Sequence, residues 1–543
     1  MSSKPGECII MPMQTPITGA HEATHQIARA AAIVIAAYII TAPIRLLATI
    51  MTARTFGTSA ASEAFFASNR FSEILFNLVA GGALGSAFIP TFTSLLAKDD
   101  HQSAWKLASF IANILLLVLT VLSILTMIFS RQVVHYVLAP GFSIADPAKE
   151  VLAADLLRIQ VPSAVIFGLS GLAMGMLNSN QRFLLPALAP ALYNIGWIIG
   201  LVFLVPTLGI YGLAWGVLIG ALLHLMIQIP SLLTLPHHQY SLGLGIDFAP
   251  VREVVRLMLP RLMGVVIVQL NFLLNTILAS LQPEGSVTAI SLAWPLMLMP
   301  QAAIAQSIAT AALPTFSEQY AKGKLDEMRS SLASSLRGVL VLAIPTTLGL
   351  ILLREPIIAF LYQNGEFTAQ STQMVSWALL WYSAGLIGHC VVEIISRAFY
   401  ALHDTKTPVL VGIGAMSLNL IFSVLFSSLF SKIGWLPLGG LALANSLATA
   451  IESIILMVLM SRRLQGLEGR KVLGLVLKAL FASVLMSVVL WIWLAISSAG
   501  RPYWQITVAG IAIGGLVYGF MIILLRVEEV GSTWKLIRGR LHI

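Results

Sequence analysis

The chain reads LVAGGALGSAFIPTF at residues 78–92 and SIATAALPTF at residues 307–316. Each passage ends in Pro-Thr-Phe and closes a long apolar stretch dotted with polar residues. Pro90 and Pro314 lie 224 residues apart, and so do Gly141 of YVLAPGF and Gly365 of FLYQNGEF. Two anchors in one register need no insertion between them. Further on, YGLAWGVLIGALLHLMI from Tyr211 is similar to GGLALANSLATAIESII from Gly439, at a shift of 228. The register predicts two copies of one unit.

That unit is built for a membrane. Of 543 residues, 58% are hydrophobic and 10% charged, with a mean hydropathy of +0.89. A soluble domain carries about a quarter charged residues. Apolar runs of about eighteen residues or more recur from end to end; residues 107–130 hold no charge at all. Fourteen spans are predicted, near 27–52, 64–93, 105–130, 152–178, 184–206, 210–233, 251–281, 286–317, 332–353, 373–402, 407–430, 437–461, 472–496 and 503–526. The expected fold is an all-α polytopic membrane protein: two parallel six-helix lobes, at 27–233 and 251–461, plus a C-terminal helix pair at 472–526. Parallel repeats of this kind place a site between two bundles related by an axis along the membrane normal.

Composition also excludes. Two cysteines, Cys8 and Cys390, rule out a disulfide framework and a four-cysteine metal site, and no cofactor is expected. Short loops leave no room for a soluble catalytic domain. The net charge of +9 reflects basic cytoplasmic loops rather than nucleic-acid binding. Residues 1–26 lack a basic segment followed by a short apolar core, so no cleaved signal is expected; they and residues 527–543 are read as cytoplasmic tails. With the N-terminus inside, inside loops, tails and flanks hold 21 of the 32 Lys and Arg, and the outside loops hold six: Arg54, Arg131, Lys149, Arg354, Lys432 and Arg501. That asymmetry predicts both ends on the cytoplasmic side.

Charged groups at membrane depth are costly and usually face a cavity or a partner. Span one carries Thr41, Arg45, Thr49 and Thr52 on one helical face, and span two Arg70, Glu73, Asn77 and Gly81. Span seven carries Arg261, Gln269, Asn271 and Asn275, and span eight Ser291, Gln301, Gln306 and Thr310. Spans one, two, seven and eight are equivalent helices of the two copies, so a polar central cavity lined by these four is expected. The plainer alternative makes Arg70 and Glu73 a local pair and lets Arg45 snorkel to an interface. Span ten adds His389, Glu393 and Arg397, with Glu393 and Arg397 spaced to pair. Pro43, Gly81, Gly82 and Pro295 are candidate hinge or gating positions.

TARTFGTSAASEAFFASNRFSEILFNLVAGGALGSAFIPTF (residues 52–92), APGF at Ala139, LNSNQRFLLPALAPALYN from Leu177, LYQNGEFTA from Leu361 and AFYALHDTKTPV from Ala398 together resemble the MurJ (MviN) lipid II flippase family. The resemblance runs over roughly residues 27–526. It implies the fourteen-helix fold of the MOP exporter superfamily, a cavity lined by helices one, two, seven and eight, and transport of a polyprenyl-diphosphate peptidoglycan precursor from the inner to the outer leaflet of the bacterial cell membrane. It implies no enzyme activity. The chain departs from the family at the cavity: positions where the family carries arginines are Ala42, Ala48 and Phe76, the family's Ala-Asp-Arg is Ala293-Trp294-Pro295, and two acidic positions are Thr49 and Gly81.

A diphosphate entering a low-dielectric cavity still needs cations. Arg45, Arg70 and Arg261 are available, with Glu73, Asn77, Asn271, Asn275 and Gln301 as the remaining substrate-binding candidates. The expected partners are the lipid-linked precursor and membrane lipids. No nucleotide-binding motif is present, which leaves Na+, H+ or the membrane potential as the driving force. Three rivals stand beside this reading: a flippase for another lipid-linked glycan, a MATE-like drug exporter, and a membrane glycosyltransferase using Asp146, Glu150 and Asp155 near a membrane edge.

Overall fold

Inside a bilayer a chain must satisfy its own backbone, and helices do so within one segment. The computed structural model describes residues 18–79, 83–236, 239–497 and 500–527. Its principal helices are α1 (Thr18–Phe56), α2 (Ala60–Val79), α3 (Ala83–Leu96), α4 (His101–Ile128), α5 (Pro147–Ser179), α6 (Leu184–Leu208), α7 (Ile210–Leu233), α8 (Ala249–Ser280), α9 (Ser286–Ala321), α10 (Leu325–Tyr362), α11 (Ala369–Ala384), α12 (Leu386–Ala401), α13 (Lys406–Lys432), α14 (Leu438–Arg463), α15 (Gly469–Ser497) and α16 (Tyr503–Leu524). Several are interrupted by a single turn.

Among the described residues, twelve helices are long and apolar enough to cross a membrane, or thirteen when α11 and α12, bent by 45° at Gly385, count as one span. The fourteenth expected span is divided between α2 and α3, on either side of residues 80–82. Its missing signal has a physical reason. Glu63, Arg70 and Glu73 all fall within the 20 residues of α2, so the polarity that marks a site also lowers its hydropathy. The proposed hinge residues Gly81 and Gly82, Cys8 and residues 528–543 lie outside the described residues. The first helix begins at Thr18 rather than at the expected residue 27.

In the first lobe, α1 packs on α6, α6 on α7, α2 on α5 and α4 on α5; in the second, α13 packs on α14, α9 and α10 on α11, and α12 on α14. The last pair, α15 and α16, lies against α10, where Tyr518 donates to the Val341 carbonyl at 2.5 Å. Outward-facing Leu473, Leu477, Phe481, Leu516 and Phe520 are all exposed, as lipid-facing side chains are. Helix α8 belongs to both lobes. Its first turns bury Val251 and Val254 with Phe88, Phe92, Leu107 and Ile111 of the first lobe. Its later turns bond to α13 of the second, where Asn419 donates to Asn271 at 3.2 Å.

The two lobes meet through contacts that repeat the sequence register. Take as upper the end of the bundle carrying residues 57–59 and 281–285. There Gly141 sits against the backbone of Ser280 and Leu281, while its counterpart Gly365 sits against the Arg54 carbonyl and Gly57 against that of Glu366. None of the three has room for a Cβ, and Gly57 and Gly365 also hold φ near +60° (58° and 60°), which favours glycine. Glu63 accepts from the backbone N–H of Val287 at 2.8 Å. Val287 stands 224 residues after Glu63, so it is the counterpart of Glu63 itself. A residue that touches its own equivalent lies on the two-fold axis.

Candidate functional site

The upper end is sealed by polar contacts across that axis. Glu63 and Lys149 are 1% and 6% exposed and form an ion pair within the first lobe. The Lys149 ammonium also stands 4.3 Å from the centre of the Phe142 ring. Glu63 spends its other oxygen on Val287, at the first turn of α9, where free N–H groups and the helix dipole favour an anion. Ser62 and Thr288 hydroxyls meet at 3.1 Å, and those of Thr58 and Ser371 at 2.9 Å. Arg54 donates to the carbonyls of Leu361 and Phe360 at 3.1 and 3.3 Å.

Below the seal lies a layer of charge and aromatic rings. Arg70 and Glu73 pair at 2.6 Å, and Asn69 donates to Glu73 at 3.2 Å. The Arg70 guanidinium stands 5.7 Å from the centre of the Phe272 ring, across the lobe boundary. Phe272 packs on Trp294 at 6.0 Å, and Trp294 packs on Tyr382 and His389 at 5.2 and 5.5 Å. In the first lobe a matching set joins Phe76, Phe167, Tyr193 and His224. Counting ~1.5 Å per residue from the helix ends at Phe56 and Ala60, Arg45 and Arg70 both stand about 15–17 Å below the upper end.

Farther down, α9 draws away from α3, while α8 still bridges the two lobes. The upper half of α9 packs on α2, whereas beyond the π-turn at Ala302–Gln306 its Gln306, Ser307 and Thr310 are exposed. Single π-turns inside helices recur at functional sites. Pro90 and Pro314, which close the two repeated passages, are both exposed at the lower end. The repeated helices therefore face one another at their upper ends and diverge where the repeat was first legible.

The sequence candidates divide accordingly. Arg45 and Arg261 are exposed and have no ion-pair partner among the described residues. Arg70 and Glu73 sit together in the layer under the seal. Asn275 donates within α8 to the Asn271 carbonyl at 3.1 Å, while Asn271 is committed to helix–helix bonding, donating to the Met416 carbonyl of α13 at 3.4 Å. Bonds of this type hold membrane helices together. Asn77 and Gln301 are half-buried, Gln301 directly before the π-turn, while Pro43 is exposed and Pro295 half-buried beside Trp294. Glu393 and Arg397 pair at 2.8 Å.

Reasoning from sequence missed two features. The Glu63–Lys149 pair went unnoticed because its members stand 86 residues apart. The aromatic wall of Phe272, Trp294 and Tyr382 was passed over because aromatic residues in apolar helices carry no distinguishing pattern. Two of the positions where the resemblance implies arginine are filled by packing: Ala48 is buried and Phe76 lies 4.7 Å from Phe167. The three carboxylates of the glycosyltransferase alternative do separate structural work. Asp146 caps α5 through the Ala148 N–H at 2.9 Å, Glu150 accepts from Arg131 at 3.1 Å and bonds to His135 at 3.1 Å, and Asp155 pairs with Arg158 at 2.7 Å.

Comparison with known proteins gives a consistent answer. Residues 52–509 match the family described as "Lipid II flippase MurJ". The Lipid II flippase MurJ of Burkholderia cenocepacia is 31% identical over 417 residues, 76% of this chain and 79% of its own. A probable lipid II flippase MurJ of Vibrio cholerae is 28% identical and covers 89% of this chain and 92% of its own. Among solved structures, a lipid II flippase MurJ in an inward closed conformation superposes with a TM-score of 0.77 at 27% identity, over 91% of this chain and 98% of that one. An inward-facing multidrug MATE transporter of the MOP superfamily gives 0.66 at 15% identity, over 80% and 99%, a likeness of fold alone.

Proposed function

The chain belongs to the MurJ lipid II flippase family, and on that premise we propose that it moves lipid II, or a close diphosphate-linked relative, from the inner to the outer leaflet of a bacterial cell membrane. In this reading the upper end faces outward and both termini lie in the cytoplasm, as the distribution of basic loops requires. A bundle sealed above, whose α3 and α9 diverge below, then admits a head group from the cytoplasmic leaflet. The single observation that carries the reading is the position of Arg70. It is a cation at membrane depth, under the seal and across from the second lobe's rings.

A diphosphate leaving water for a low-dielectric cavity must find charge-assisted hydrogen bonds. Arg70 supplies them at the roof, and exposed Arg45 stands at the same depth. Arg261, twelve residues into α8, stands lower and meets the head group on entry. Asn77 and Gln301 offer amides to sugar or peptide. Asn271 contributes by holding α8 against α13, and Asn275 bonds to Asn271 within α8.

Opening the upper end means separating Glu63 from Val287. Glu63 and Lys149 both belong to the first lobe, so their pair survives the separation. Removing one partner of a buried pair costs roughly 3–5 kcal/mol, and this arrangement avoids that cost during the cycle. The lobes can then rock about the roof layer while the lipid tail remains in the bilayer, beside α15 and α16. The coupling source is drawn from Na+, H+ or the membrane potential.

A second reading, a flippase for another diphosphate-linked glycan, is favoured by the packing residues at the family's usual cavity positions. One experiment separates them. With the resident lipid II flippase depleted, this gene supplied in trans restores growth and cell shape under the first reading. Loss of viability despite normal membrane levels would leave only the second.

A further inference from the structure

The second-lobe wall of the roof layer is aromatic, and its centre is Trp294. It contacts Phe272, Tyr382 and His389 at once, and Phe272 carries the Arg70 guanidinium. Seen from the cavity, a cation and an indole are neighbours separated by one ring. Trp294 is half-buried. Its indole N–H has no acceptor among the described residues, and the nitrogen is not sealed inside the protein.

Four other tryptophans spend that hydrogen, while Trp381, buried among rings of the second lobe, has no acceptor among the described residues. Trp105 donates to the Pro236 carbonyl at 3.1 Å, Trp197 to Thr52 at 2.9 Å, Trp377 to the Leu436 carbonyl at 3.1 Å and Trp493 to the Ile506 carbonyl at 3.1 Å. Indole N–H groups in buried surroundings usually find such partners. Trp294 is thus half-buried, with its donor unspent, one ring away from the Arg70 guanidinium.

We propose that Trp294 is the sugar-recognition residue of the site. Its ring stacks on the C–H face of the pyranose attached directly to the diphosphate. Its N–H donates to a hydroxyl or N-acetyl oxygen of that sugar, while Arg70 meets the phosphates. The inference rests on the proposed function, because it takes the head group to be a diphosphate-linked glycan. It goes further in assigning discrimination between glycosylated and bare diphosphate lipids to one side chain. A site that hydrogen-bonds a substrate group rejects the analogue lacking it.

The test uses the purified full-length protein and two probes, lipid II and undecaprenyl diphosphate, which lacks sugar. Trp294→Ala is expected to weaken lipid II binding about tenfold, the combined effect of a lost stack and a lost donor, and to leave undecaprenyl diphosphate within about twofold. Trp294→Phe keeps a ring and loses the donor, so its loss for lipid II should be about threefold, again without effect on the bare lipid. Arg70→Gln should weaken both probes. Equal losses for both probes in the Trp294 variants would overturn the inference, since they would show that Trp294 only props Phe272 under Arg70. Unchanged lipid II binding in Trp294→Ala would overturn it as well. Should Trp294→Ala fail to reach the membrane, Trp294→Phe decides by the same contrast. A wild-type protein that binds neither probe would overturn the proposed function itself, a result distinguishable from either.

Discussion

Replacing Lys149 by methionine would strand Glu63. The carboxylate is 1% exposed and would keep the Val287 N–H but no cation. Removing one member of a buried pair costs about 3–5 kcal/mol. Unfolding entropy near ~2.1 cal/mol/K per residue, over 543 residues, amounts to about 1.1 kcal/mol/K. Lys149→Met should therefore lower the melting temperature by about 3–4 °C. Glu63→Gln should cost about half as much. Its amide oxygen can still accept from Val287, and Lys149 keeps the face of Phe142, a contact worth up to ~2 kcal/mol when desolvated. The double variant removes both charges and should melt within about 1 °C of wild type, as buried pairs replaced together often do. Thermal unfolding of the purified protein in detergent reads all four states of the cycle. Lys149→Met melting with wild type would refute the account, and so would a double variant that melts as low as Lys149→Met.

Cysteines at positions 58 and 371, whose hydroxyls now meet at 2.9 Å, should crosslink under oxidation and stop transport until reduced; transport through the crosslinked form would refute the upper seal as a gate. Arg70→Gln with Glu73→Gln should reach normal membrane levels but fail to bind the diphosphate lipid, and Arg70→Lys should keep part of the binding, because an ammonium still meets phosphate as a point charge. A double variant that transports normally would remove Arg70 from the site and leave Arg45 and Arg261 as the available cations. Asp404, in the turn before α13, accepts from the Thr407 hydroxyl at 2.6 Å and its N–H at 3.0 Å, and these bonds hold its carboxyl below the ordinary value of 3.8. A carboxyl held low stabilises the fold above its unfolded value and loses that contribution as pH falls. Asp404→Asn should thus lower the melting temperature at pH 7 and lower it less as pH falls below 3.8; an equal effect at pH 7 and pH 3 would refute the assignment.

The architecture was legible because hydropathy and internal repetition act over whole helices. The register of 224 read from Pro90 and Gly141 reappears as the reciprocal seats of Gly141 and Gly365 and as the contact of Glu63 with Val287. The span around residues 64–93 was legible as a polar stripe and illegible as a uniform membrane helix, for one reason: Glu63, Arg70 and Glu73 in α2. The Arg70–Glu73 and Glu393–Arg397 pairs could be read because helical spacing brings their members together. The Lys149 partner of Glu63 could not, because only tertiary packing joins residues 86 positions apart. Asn271 shows the reverse error available to pattern reading. A polar stripe marks a face in need of hydrogen bonds, and here a neighbouring helix, through Asn419 and the Met416 carbonyl, supplies them. Trp294 carried no signal beyond replacing a charged position in a familiar passage.

The central claim is that this chain carries the lipid-linked precursor across the membrane through the cavity beneath Arg70. The most direct measurement is leaflet exposure in cells depleted of their resident flippase and supplied with this gene. An enzyme that cleaves lipid II, added from outside, reports only precursor that has crossed. The account predicts cleavage with the wild-type chain and none with Arg70→Gln plus Glu73→Gln at equal membrane abundance. Lipid II that stays protected while the wild-type protein is present in the membrane would contradict it.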